Sequence, residues 1–173
     1  MKLPNSVRFT WDLTKLSSGA LHLPDHYQIG PATPEDEKEL RKVLSSSFLL
    51  DPAWSPAIGE VMHTLQSWLD RALASDQYTC LVLRHGLRII GASALALDPN
   101  ADNHLVPGPC VLIEYRNRGF GTRLLERSLR LLKDAGLSRA IGVARELAPV
   151  TKFLYPKFNG VVAPMSDTAL LAA

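Results

Sequence analysis

Cysteine is scarce in this sequence, and so is net charge. Only Cys80 and Cys110 occur in 173 residues. Both sit in apolar, strand-like runs and read as two buried free thiols, which excludes a disulfide framework. Neither has a metal-ligand spacing, so no metal site is expected. The formal charge of +2 is too small to argue for nucleic acid or a membrane surface as partner. No apolar run approaches a membrane span. The opening MKLPNSVRFTWDL lacks the apolar core of a signal peptide, so a cytoplasmic location is expected by default. Repeats and low-complexity tracts are absent too. What is present is ordinary globular composition, 46% hydrophobic and 21% charged, in a chain long enough for one domain with a real core.

Periodicity places the elements. Val7, Phe9, Trp11 and Leu13 alternate as in a short strand. Residues 1–26 otherwise read as an N-terminal arm that covers the domain or makes a dimer contact, and 27–173 as the domain itself. A strand begins at Tyr27 and is ended early by Pro31. Thr33-Pro34-Glu35-Asp36 starts a helix, with Thr as N-cap, Pro at the first position and acids in the first turn. A second helix is expected over 56–74, then a strand pair turning at His85-Gly86. The run 104–113 is a strand interrupted by Pro107-Gly108-Pro109. Proline cannot donate to a ladder, so this strand should be bulged or locally unpaired. A long helix, a strand over 137–144, a short helix over 149–155 and at most one more strand, 161–164, complete the order. That order predicts an α/β fold with a mixed central sheet and helices on both faces.

The stretch VLIEYRNRGFGTRLLERSLRLL, residues 111–132, organises the rest. An apolar run ends at Ile113, and a basic loop with Gly119 and Gly121 leads into an amphipathic helix. Leu124, Leu125, Leu129, Leu131 and Leu132 share one face, with Arg123, Glu126, Arg127 and Arg130 elsewhere. A strand, a glycine turn and a helix N-terminus form an anion site, because backbone N–H groups and the helix dipole point at it. Arg116, Arg118 and Arg123 add charge, and the glycines let a bulky diphosphate approach the backbone. A third glycine is missing at Leu124, which excludes the dinucleotide fingerprint, and no G-K-[ST] follows, which excludes a P-loop.

The spacing R-x-x-G-x-G, here Arg116, Gly119 and Gly121, resembles the acyl-CoA signature of the GCN5-related N-acetyltransferases, and Glu114-Tyr115 resembles the usual run into that loop. The opening Y-x-I-x-x-A-T-x-E-D and the segment Lys152 to Phe158 are similar to further family features. The resemblance covers about 27–160. It implies a fold with a splayed central strand whose free backbone groups, near Val111, Leu112 and Ile113, pair with the pantetheine arm and meet the thioester oxygen. Arg116, Asn117, Arg118, Gly119, Phe120, Gly121 and Thr122 would hold the diphosphate. Tyr155 would protonate the departing thiolate. The base is open among Glu114, Glu146, His104, Glu60 and ordered water, with Glu114 following the splayed strand. Trp54, Glu60, His63 and Trp68 would wall the acceptor site.

The chain departs from the family at Gly30-Pro31, where an arginine is common, at Ala148, where an asparagine is usual, and at Asn159-Gly160. It also offers too few C-terminal residues for the customary two last strands, which leaves the sheet incomplete or completed by a partner chain, as in a homodimer. The implied activity is acetyl transfer from acetyl-CoA to an amine of a small molecule or peptide, by direct attack in a ternary complex. The alternatives are an acyl-CoA-binding module without catalysis and a structural or regulatory partner protein, the latter suggested only by the N-terminal arm.

Overall fold

The computed structural model describes residues 6–49, 58–105 and 108–165. Ten elements carry the fold: β1 (Ser6–Asp12), β2 (Tyr27–Pro31), α1 (Glu37–Leu49), α2 (Ile58–Ala74), β3 (Tyr78–His85), β4 (Arg88–Ala96), β5 (Cys110–Val111), α3 (Phe120–Asp134), β6 (Arg139–Arg145) and β7 (Val161–Pro164). The strands form two antiparallel sheets, β2-β3-β4-β5 and β6-β1-β7. Helices lie on both faces. Leu40, Val43, Leu44 and Leu69 of α1 and α2 pack on Cys80, Val82, Ile89, Ala92 and Ala94. On the other face Leu124, Leu125, Leu129 and Leu132 of α3 meet Val7, Phe9, Trp11, Leu81 and Leu95. The alanines of β4 are what let α1 come close.

The start of α1 follows its sequence signals. A short turn, Pro34–Asp36, precedes the helix. The Asp36 carboxylate accepts from the Thr33 N–H at 2.8 Å and from the Arg84 guanidinium.

The N-terminal segment is built into the sheet. β1 is the middle strand of its three, pairing Phe9 with Gly142 of β6 on one side and with Val162 of β7 on the other. β1 thus links β6 and β7 in one sheet. The loop after it returns over α3. Glu126, 2% exposed, accepts from the Leu21 N–H and pairs with Arg130, which donates to the Ser17 and Gly19 carbonyls. Glu126 had read as a polar-face residue. Its burial follows from this loop, which lies far from it in sequence.

Of the interrupted strand, Gly108 and Pro109 lie in no strand, while Val106 and Pro107 lie outside the described residues. Leu105 bridges Leu95, and pairing with β4 resumes only at Cys110↔Ala92 and Gly91↔Val111. At the Leu105 end the two sheets are tied together through His104. Its N–H donates to Ile141 of β6 at 2.7 Å, and its carbonyl accepts from Ala96 of β4 at 2.9 Å. At the Cys110 end no ladder joins β5 to β6. This break in pairing between the two sheets, called the gap below, is where the candidate site is built.

Candidate active site

The loop before α3 is shaped by two left-handed residues, Asn117 (φ 63°) and Gly119 (φ 81°). Gly119 is the N-cap, and a Cβ there would sit 2.6 Å from Arg123 Nη1 besides straining the backbone. The first amide that turns back within the helix is that of Arg123, onto the Gly119 carbonyl at 3.3 Å. The helix therefore gives the N–H groups of Phe120, Gly121 and Thr122 no carbonyl one turn back, and the dipole favours an anion in front of them. Gly121 leaves space, since a Cβ would make only ordinary contacts with Leu154.

The three arginines do different work. Arg116 is a brace: Nε donates to the Val111 carbonyl at 2.9 Å and Nη2 to the Ser47 carbonyl at 3.2 Å. Arg123 folds back onto the Gly119 carbonyl and reaches the His22 carbonyl. Arg118 is exposed, its guanidinium 5.5 Å from the Tyr115 ring centroid. The Phe120 side chain is an anchor, packed with Tyr27 and Tyr115, while His85 stacks on Tyr27 at 4.5 Å. Of Phe120, only the backbone can face a ligand.

Backbone alternation fixes the donors on β5. The Leu112 N–H goes to the Ile90 carbonyl at 2.8 Å. In an antiparallel ladder the next residue points the other way, so the Val111 N–H and C=O face away from β4, towards the gap. The carbonyl is taken by Arg116. The N–H is left aimed at the gap. Ile113, in the turn that follows, is exposed.

Tyr155 lies across this gap from β5. It follows a wide turn, Val150–Leu154, and is 2% exposed. Its ring meets Phe9 and Trp11 edge-on at 5.5 and 5.2 Å. Its hydroxyl rests on Gly108, where any Cβ would overlap it. Burial holds its proton above the ordinary phenol value. Glu114 lies elsewhere, on the exposed turn after β5, 3.7 Å from Arg88. The structure thus brings Gly108 and Tyr155 together at the gap, with Val111 on the strand that follows Gly108, sets Gly121 against Leu154 next to Tyr155, and puts Glu114 beside Arg88.

His104 is a brace. Its Nδ1 accepts from the Ile141 N–H and its Nε2 donates to the Asp98 carbonyl, both at 2.9 Å. Both ring nitrogens are committed, so no lone pair is left for a base. Glu146 is exposed on the turn after β6, and His63 is exposed on α2. Trp54, and the side chains of Glu60 and Trp68, lie outside the described residues. Missed in the sequence were Gly108, the seat of the Tyr155 hydroxyl, and Glu126 with Arg130. The four-residue spacing of that last pair was the only signal. Among the described residues no cluster of His, Cys, Asp and Glu could hold a metal, and no helix is long and apolar enough to cross a membrane.

The sequence model of the acetyltransferase (GNAT) family matches residues 39–159. No curated protein matches the chain. Solved structures share the fold at low identity. The tandem GNAT protein from the clavulanic acid biosynthesis pathway superposes with a TM-score of 0.63 at 14% identity, over 96% of this chain and 56% of that one. A GCN5-related N-acetyltransferase from Sphaerobacter thermophilus gives 0.61 at 14% identity, over 94% and 50%. One from Ralstonia eutropha gives 0.53 at 18% identity, over 70% and 85%. The chain spans about half the length of the first two.

Proposed function

The chain belongs to the GNAT acetyltransferase family, and from that premise we propose that it transfers an acetyl group from acetyl-CoA to an amine by direct attack in a ternary complex. The observation that carries this reading is the gap itself: a backbone N–H on one side, a buried phenol on the other, and a helix N-terminus next to it. The diphosphate of CoA rests on the N–H groups of Phe120, Gly121 and Thr122, with Arg118 and Arg123 supplying charge and Asn117, Gly119 and Arg116 shaping the loop. The pantetheine arm runs along β5, past Val111, Leu112 and Ile113. The thioester carbonyl meets the Val111 N–H, a donor placed where the oxyanion develops.

The amine nitrogen then attacks the carbonyl carbon. A C–N bond forms, the C–S bond breaks, and the sulfur takes the Tyr155 proton. Tyr155 enters this step protonated, and its burial, which holds the proton more tightly, makes it a weaker acid than an exposed phenol. Glu114, exposed and next to Arg88, takes the amine's proton by way of water. A module that binds acyl-CoA without turnover is the second reading, favoured by Ala148 at the family's asparagine position and by the closed surroundings of Tyr155.

Calorimetry with CoA and a thiol-release assay with acetyl-CoA over small amines, polyamines, amino acids and peptides separate the two. Binding with amine-dependent release is expected. Binding with no release would select the module, and no binding would overturn both.

A further inference from the structure

The second face of the β6-β1-β7 sheet carries an arginine, Arg8, whose buried Nε meets no acceptor among the described residues. Val7, Phe9 and Trp11 of β1 point into the core under α3. Alternation turns Arg8 and Thr10 to the other face. Arg8 pairs with Val143 of β6 and with Ala163 of β7. Its Nε is shut off from solvent, yet it has no hydrogen-bond partner among the described residues. A charged donor left so is costly unless something arrives to accept from it. Arg145 lies diagonally across on the same face and adds positive charge. Asp12 also lies on this face, but at the far end of β1, where it accepts from Thr14.

This face is open. α1 and α2 pack on β3, β4 and β5, whereas Thr10 and Val143 are half-buried and Val161 and Ala163 exposed. It is also level with the gap. Phe9 pairs with Gly142, over whose α-carbon the rings of Trp11 and Tyr155 lie, and Arg8 is one position along. Tyr155, Trp11 and the α3 leucines fill the near side of the gap. An acceptor must therefore approach the thioester from the Arg8 side. Only β6, about 5 Å wide, separates β1 from the gap, a distance an arginine side chain spans.

We propose that Arg8 is the acceptor-anchoring residue and that the acceptor is an amine carrying a carboxylate a few bonds from its nitrogen, of the amino-acid class. This rests on the acetyl-transfer reading above and names its substrate. A guanidinium presents a planar fork that matches a carboxylate in a bidentate pair. The surroundings mix apolar Val143, Ile141 and Ala163 with the charge of Arg145, which suits a compact anion. With the carboxylate held at Arg8, the amine a few bonds away reaches the gap at the level of Tyr155.

The test uses the whole chain, acetyl-CoA and the common amino acids, each beside its C-terminal amide. Free-thiol release is the readout, with CoA calorimetry alongside. Expected are turnover of one or more free acids, amides at least about tenfold poorer in kcat/KM, and an Arg8→Gln variant that loses that preference while binding CoA as before. Arg8→Lys, which keeps the charge and loses the fork, should fall between. Circular dichroism controls for folding. If Arg8→Gln fails to fold, the acid–amide comparison in the wild type and in Arg8→Lys decides. Equal use of acids and amides overturns the proposal. So does an acid preference that survives Arg8→Gln, or turnover confined to amines without a carboxylate, phosphorylated amines included. In those cases acyl transfer itself stands. Loss of CoA binding in the wild type would instead overturn acyl transfer, and the acceptor site with it.

Discussion

The Tyr155 hydroxyl rests on the α-carbon of Gly108, closely enough that a methyl group there would overlap it. The two residues belong to opposite sides of the gap. Gly108 precedes β5, and the Tyr155 ring packs on β1 and β6. Gly108→Ala should therefore push the phenol out of place. Overpacking of this kind costs about 1–3 kcal/mol, so thermal unfolding should shift downwards. Turnover should fall by more than the lost stability explains, because the folded fraction at assay temperature stays high. A variant with wild-type kcat would detach Tyr155 from the chemistry.

Tyr155→Phe is the complementary change. It keeps the ring against Phe9 and Trp11 and removes only the hydroxyl. CoA affinity should hold. With a true acceptor, kcat should drop on the order of 100-fold, as is usual for a lost acid–base group, and kcat/KM should drop with it. Retention of more than half of kcat, with chemistry rate-limiting, would return Tyr155 to a packing role. Glu114→Gln should do far less, since Glu114 is exposed and solvent can replace it.

At the glycine loop, two substitutions at one position separate space from charge. A Cβ at Gly121 meets only Leu154 methyls at 3.8 Å and beyond. Gly121→Ala should fold and still bind CoA. Gly121→Glu should fold yet bind no CoA, because a carboxylate would stand before the helix N-terminus where a diphosphate belongs. Calorimetry on both, repeated at rising salt, also tests Arg118 and Arg123. Exposed charges are screened beyond about 10 Å at 0.1 M, so wild-type affinity should weaken with salt.

What the sequence disclosed was local. Alternation in β1, the leucine spacing of α3 and the cap at Thr33 each belong to one short segment, and each element formed there. Pro107-Gly108-Pro109 disclosed a break in the strand because a missing N–H is a property of the residue itself. Pairing between distant segments was not legible. Nothing in VRFTWD says that it enters between β6 and β7. Glu126 and Arg130 looked like an ordinary surface pair because the loop that buries them lies near the other end of the chain. Arg116 had the right spacing for a phosphate ligand, but a long side chain can turn either way, and here it turns inward to two carbonyls.

That loop gives a prediction about stability. Glu126 is buried between Arg130 and the Leu21 N–H. Glu126→Ala would leave the Arg130 guanidinium, 21% exposed, with only the Ser17 and Gly19 carbonyls, so the cost should fall below the roughly 3–5 kcal/mol of a fully buried pair broken from one side. The loss should show first as faster proteolysis within residues 17–22, which are exposed and held by these contacts. Loss of the same stability with unchanged cleavage there would place the effect in the α3 core instead.

The last prediction concerns pH. His104 joins the two sheets through the acceptor lone pair of Nδ1, which takes the Ile141 N–H. Protonation would set one N–H against another. Burial lowers the pKa of this imidazole from its ordinary 6.5, and the positive charge of Arg139 lowers it too, while the Asp98 carbonyl and carboxylate oppose the shift. The unfolded chain therefore binds a proton at a pH where the folded chain still refuses it. Stability from this group is complete above about pH 6.5 and drains away as pH falls towards the lowered folded value. The slope is at most about 1.4 kcal/mol per pH unit, that of one proton. Asp36, held down first by Arg84, acts in a separate window, below the ordinary 3.8 of an aspartate. Urea unfolding at steps from pH 8 to pH 5 should show the loss beginning near 6.5 in the wild type. His104→Gln should start from lower stability at pH 8 and follow a flatter line through that window. Parallel lines for the two proteins would mean that His104 does not titrate there, and that its contacts with Ile141 and Asp98 survive acid.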